Sequence, residues 1–88
     1  MNNTTDFNKH CIEAAYCFLH QKWRVYEFSN MEWQKDDIEY AIAQYVDGMS
    51  TYLYQQLAMG KPDFLTDHTT FGTDMQNALE RMEEMLNT

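Results

Sequence analysis

Apolar side chains recur along this chain at steps of three and four, the spacing that puts residues on one stripe of an α-helix. The clearest case is the stretch 36–60, where Ile38, Ala41, Ile42, Tyr45, Met49, Tyr52, Leu53 and Gln56 or Leu57 share such a stripe. An earlier stripe of Phe7, Cys11, Ile12, Ala15, Phe18, Leu19, Trp23 and Tyr26 predicts a helix from a cap at Thr5 or Asp6 to about Phe28, with neither Gly nor Pro inside it. The residues WRVYEF at 23–28 are rich in β-formers, but a lone strand would have no mate, so helix is the expectation.

Ser29 and Glu32 have the spacing of a capping box and predict a second helix start after a short turn, with Asp36 and Asp37 as an alternative first turn. Asp47-Gly48 interrupts the pattern. The step from Tyr45 to Met49 to Leu53 keeps its register across the glycine, which favours one continuous helix with Gly48 admitting another backbone closely. Gly60 followed by Lys61-Pro62 is the expected stop. A loop over 61–69 is pinned by Phe64 and Leu65. A last helix begins near Thr69 or at Thr73, where Thr73 and Gln76 form another capping-box pair, and its stripe is Phe71, Met75, Ala78, Leu79, Met82, Met85 and Leu86. The fold class expected is all-α: an antiparallel helical hairpin with a shorter third helix packed on it, a three-helix bundle in one domain over residues 1–88.

Size changes this picture first. A domain of 88 residues has a small core, yet the chain carries two Trp, six Tyr, five Phe and seven Met. Such side chains are enriched in contact surfaces, so a homodimer or a partner-binding face is expected to take the surplus. Charge changes it next. The formal net charge of −8 argues against direct binding to nucleic acid or to an anionic membrane, both of which need a basic footprint. No apolar run is long enough to cross a membrane and no signal-peptide pattern is evident, which together with the cysteines predicts a reducing cytoplasm. Cys11 and Cys17, six residues apart on one predicted helix, would hold their Cα atoms about 9 Å from each other, beyond disulfide reach.

Candidate chemistry is thin. His10, Glu13, Cys17 and His20 are metal-ligand types on one stripe, but the stripe spans nearly three turns, so at most Glu13, Cys17 and His20 share an ion; the polar face beside the core stripe is the expected reading. Cys17 and His20 read as nucleophile and base lack an oxyanion site. A calcium loop starting at Asp67 places Gly72 at its sixth position but has Phe71 at the fifth and Ala78 at the twelfth, and fails; Asp67, Thr70 and Asp74 are then capping and solvation residues. No enzyme activity, cofactor or metal is expected.

Two features remain. Glu32, Asp36 and Glu39 make a row of carboxylates, and Trp33, Asp37, Tyr40, Asp47 and Tyr54 share a second face of the same predicted helix, mixing aromatics with acids as contact surfaces do. The function expected is that of a small acidic protein-binding module, an inhibitor or regulator that occupies the basic, nucleic-acid-binding surface of a partner protein through Glu32, Trp33, Asp36, Asp37, Glu39, Tyr40, Asp47 and Tyr54. The alternatives are an assembly module whose homodimerisation is its main role, and a helical metal-binding protein.

Overall fold

The longest element sets the shape. In the computed structural model, which describes residues 3–87 and side chains from Lys9 to Asn87, helix α1 runs over Asn3–Phe28. Its 26 residues at about 1.5 Å each span about 39 Å of a molecule 47 Å long and 24 and 20 Å across. The segment 23–28 is helical, so the β-formers there follow the apolar stripe. The helix starts ahead of the expected cap at Thr5 or Asp6, and Phe7, the first member of the expected stripe, lies outside the described side chains.

Helix α2 (Glu32–Asp47) follows after a turn of three residues. Ser29 helps to make that turn, but not as a capping box: its Oγ accepts from the Met31 amide at 3.2 Å and donates to Gln34 Oε1 at 2.7 Å. The residue at the cap position is Met31, without a side-chain cap bond.

The expected continuous helix divides at Gly48, giving α2 and a short α3 (Thr51–Ala58). Among the described residues, four α-helices therefore stand where three were expected. The reason lies in the three residues at the break. Asp47 puts a negative charge at the negative end of the helix dipole, and glycine costs about 1 kcal/mol inside a helix. Ser50 then supplies a new start, its hydroxyl oxygen accepting from the Leu53 amide at 3.4 Å. Nor does Gly48 admit a neighbouring backbone, since a Cβ there would meet nothing closer than the Tyr45 carbonyl of its own helix at 3.9 Å. The bend changes partners: α2 packs on α1, whereas α3 packs on the last helix. A groove of about 380 Å³ lies beside the break, lined by Cys11, Ala15, Tyr45, Met49 and Leu53 among others.

The stop after α3 falls where expected, with the left-handed conformation shared between two residues: Met59 takes φ 50° and Gly60 φ 84°. The loop that follows ends in a 3-10 turn (His68–Thr70) that leads directly into α4 (Phe71–Leu86), so the helix begins between the two expected starts and Thr73 lies inside it. Asp67 caps the 3-10 turn by accepting from the Thr69 amide at 3.0 Å.

The core is gathered mainly by α4. Phe71, Met75, Ala78, Leu79 and Met82 are buried there against Ala15 and Leu19 of α1, Ile38 and Ile42 of α2, Leu53, Leu57 and Ala58 of α3, and Phe64 and Leu65 of the loop. The apolar stripes read from the sequence are these faces, with Tyr45, Met49 and Met85 half-buried at their margins, except that Tyr52, expected on the stripe of 36–60, is 60% exposed on α3. Tyr16 also ties α1 to α4, its hydroxyl donating to Glu83 at 2.7 Å. All described elements are helical and no described helix is long and apolar enough to cross a membrane.

Candidate functional site

The eight residues expected to form a contact face do not stay together. Trp33 and Tyr40 lie on α2 and are 63% and 66% exposed. Glu32, Asp36, Asp37 and Asp47 are exposed on the same helix. Tyr54 is carried off by the break at Gly48: it belongs to α3, its ring meets the edge of Phe64, and its hydroxyl donates to the Phe64 carbonyl at 2.8 Å. Tyr54 is therefore a support for the loop, and the lower half of the expected face is lost with it.

Glu39 is also more engaged than its position suggested. Its side chain is only 16% exposed. Tyr26 of α1 donates its hydroxyl to Oε2 at 2.9 Å, and His68 Nδ1 lies 2.9 Å from Oε1 and 3.0 Å from Oε2. One carboxylate thus joins α1, α2 and the 3-10 turn. Burial and the bond to Glu39 push the Tyr26 phenol up to about 12, with Glu32 and Asp36 adding to the effect. The hydrogen bond and charge of Glu39 raise the His68 imidazole above its ordinary value, again with help from Asp36 and Glu32. Lys35 stands 5.5 Å from the Tyr26 ring centroid and supplies a cation to this acidic neighbourhood.

At the other end of α2, beside the turn from α1, the remaining upper part of the face is extended by apolar residues of α1 and of the turn. Val25, Phe28 and Met31 are exposed beside Trp33, and Phe28 is 78% exposed. Two shallow clefts meet here, sharing Val25 and Gln34: one also includes Trp33, Asp37 and Lys22, the other Phe28 and Arg24. The apolar corner is thus bordered by cations on α1 and by carboxylates on α2. Chain order hid this, because Val25 and Phe28 sit on a helix whose stripe was read as core.

The chain matches no known protein-family model, no curated protein and no solved structure. The geometry alone therefore carries the functional reading.

The other candidate residues separate. His10 faces Glu13 at 3.7 Å, while the His20 ring stacks on Tyr16 with centroids 5.3 Å apart. Among the described residues, the group of metal-ligand side chains that does converge is Asp36, Glu39 and His68, not Glu13, Cys17 and His20. Cys11 and Cys17 are free thiols.

Asp74 corrects a different expectation. It is not a solvated cap residue but is 1% exposed. Its Oδ2 accepts from the Leu65 amide at 3.0 Å and from Thr70 Oγ1 at 3.1 Å, and pairs with Lys61 Nζ at 3.4 Å, while Oδ1 has no partner. A signal for this was present: Asp74 stands three residues after Phe71 and four before Ala78, on the apolar stripe itself. His68 offered no comparable signal, since its partner is 29 residues away in the chain.

Proposed function

We propose that this protein is a small acidic, non-enzymatic protein-binding module whose contact surface is the corner between α1 and α2 together with the outward side of α2. One observation carries the reading. Of the seven large apolar side chains exposed among the described residues, five are Val25, Phe28, Met31, Trp33 and Tyr40. Contiguous exposed apolar surface on a small domain marks interaction sites, and Trp and Tyr are the side chains that most often dominate binding energy. Glu27, Glu32, Asp36 and Asp37 stand exposed in the same stretch and complement a basic partner.

The partner class is a protein with a cationic, nucleic-acid-binding surface, which the carboxylates of α2 occupy in place of phosphates. Lys22 and Arg24 restrict this complementarity to the α2 side and leave the α1 side to apolar contact. The reading takes α1 and α2 as an antiparallel hairpin and places the protein in the cytoplasm as an inhibitor or regulator. Phe28, 78% exposed among the described residues, also favours a second reading in which two copies meet through the corner and homodimerisation is the main role.

The test is capture of partners from the native host with the wild-type chain and with Trp33→Ala, followed by binding measurements on the purified pair. Binding weakens as salt rises, is competed by DNA or RNA, and falls by about ten-fold or more on removal of Trp33. A complex indifferent to salt and to nucleic acid overturns the reading. Sedimentation over a concentration series decides the second: a dimer that Phe28→Ser dissolves supports it, and a monomer at every concentration excludes it.

A further inference from the structure

The carboxylate row and the loop after α3 meet where Glu39 joins three elements. Asp36 and Glu39, one turn apart on α2, and His68, at the start of the 3-10 turn, each present a donor atom, and the donors lie within 4.8 Å of one another. The two Glu39 oxygens stand 2.9 and 3.0 Å from His68 Nδ1. Around an ion with bonds of about 2.0 to 2.1 Å, neighbouring donors are about 2.8 to 3.4 Å apart, so Glu39 and His68 stand within the spacing of adjacent ligands.

Two features distinguish this group from an ordinary acidic surface. An imidazole from a different element completes it, and a third element orients it. The Tyr26 hydroxyl of α1 donates to Glu39 Oε2 at 2.9 Å, the kind of outer bond that fixes a ligating carboxylate in metal centres. The donor types select the cation. One imidazole nitrogen with carboxylate oxygens suits divalent transition metals, whereas calcium takes six to eight oxygens and magnesium an octahedral, largely aqueous shell.

We propose that Asp36, Glu39 and His68 form a surface site for one divalent transition-metal ion of the zinc class, which clips the loop after α3 to α2. On binding, His68 Nδ1 releases its proton to solvent and gives its lone pair to the ion, and the two carboxylates balance the double positive charge. Water completes the shell. The site is independent of any partner protein and is read without one.

The experiment uses the full chain after chelator treatment, titrated with zinc chloride by calorimetry and followed by NMR of the histidine rings. Wild type binds one zinc saturably, the His68 ring resonances move before those of His10 and His20, and the melting temperature rises with zinc. His68→Ala and Asp36→Asn each weaken binding by about ten-fold or more and abolish the rise in melting temperature, while His10→Ala behaves as wild type. His68 is exposed, so its removal leaves the core intact, as far-UV circular dichroism will verify. Absence of saturable binding overturns the proposal. So does zinc binding that His68→Ala leaves unchanged, which would place the ion on other donors such as the free thiols of Cys11 and Cys17.

Discussion

The two main connections of this fold treat their apolar residues in opposite ways. Between α1 and α2 the turn has three residues, and Phe28 and Met31 at its edges stay in water with Val25 and Trp33. Between α3 and α4 the chain has room to fold back, and Phe64 and Leu65 are buried against the core. The short turn buries only the small Ser29 and leaves its large side chains outside, whereas a long connection can insert them if its backbone adopts costly conformations. The second connection does so: Met59, Asp63 and Leu65 all have positive φ, rare for residues other than glycine. Asp74 holds the result in place through the Leu65 amide. Exposure at the first connection is therefore not the overflow of a core too small for its aromatics, because the same chain buries apolar loop residues at a backbone cost elsewhere. That contrast directs the functional reading to the α1–α2 corner.

The contrast is broken most directly at the buried connection. Phe64→Ala removes a ring buried between α3 and α4 and is expected to cost about 3 to 5 kcal/mol in urea unfolding. Asp74→Ala leaves the Leu65 amide and the Thr70 hydroxyl without their acceptor and Lys61 without its carboxylate, at an expected cost of about 3 kcal/mol. A result below about 1 kcal/mol for either would mean that the loop does not depend on its anchors.

Leu65 sharpens the comparison. Both Leu65→Ala and Leu65→Gly empty the same site, but glycine relieves the positive φ of 68°. The glycine variant is therefore expected to be at least as stable as the alanine variant, reversing by about 1 kcal/mol the usual penalty for glycine. At exposed Met59, where φ is 50°, glycine likewise stabilises by about 0.5 to 1 kcal/mol.

Tyr26 links the two regions through Glu39 and His68, and its effect is read in alkali. The fold holds the neutral phenol, raised to about 12, whereas an unfolded tyrosine ionises near 10. Its contribution is fully present below pH 10 and is lost as pH rises through about 12. Tyr16, Tyr45 and Tyr54 are raised as well, so the measurement is the difference between wild type and Tyr26→Phe. The stability advantage of wild type shrinks over that window; an advantage constant with pH would assign the effect to packing alone.

The smallest effect on stability is expected at the exposed corner. Phe28→Ser and Trp33→Ser should change unfolding by no more than about 0.5 kcal/mol while abolishing partner capture. A larger loss would show that the corner supports the fold instead of serving a contact.

How much of this was legible follows from the range of each signal. The apolar stripes of α1 and α4, the stop at Gly60 and the anchoring of the loop by Phe64 and Leu65 could be read directly, because each depends on residues within a few positions of one another. The exposed face of Trp33 and Tyr40 was legible for the same reason. The break at Gly48 was not, since Met49 and Leu53 serve the core on either path and the apolar register is the same in both. Tyr54 was misplaced with it. Asp74 interrupts an apolar stripe and was visible in principle, but its partners Lys61, Leu65 and Thr70 could not be listed before the loop folded over it.

Sequence by itself thus determined, the break at Gly48 apart, where helices form and the apolar side of α1 and α4, because helical periodicity and stop residues act over a turn or two. The tertiary structure decided which helix each face meets, and with it the burial of Asp74, the change of partner at Gly48 and the meeting of Glu39 with His68. Those depend on contacts between residues far apart in the chain, and local spacing does not specify the path that closes them.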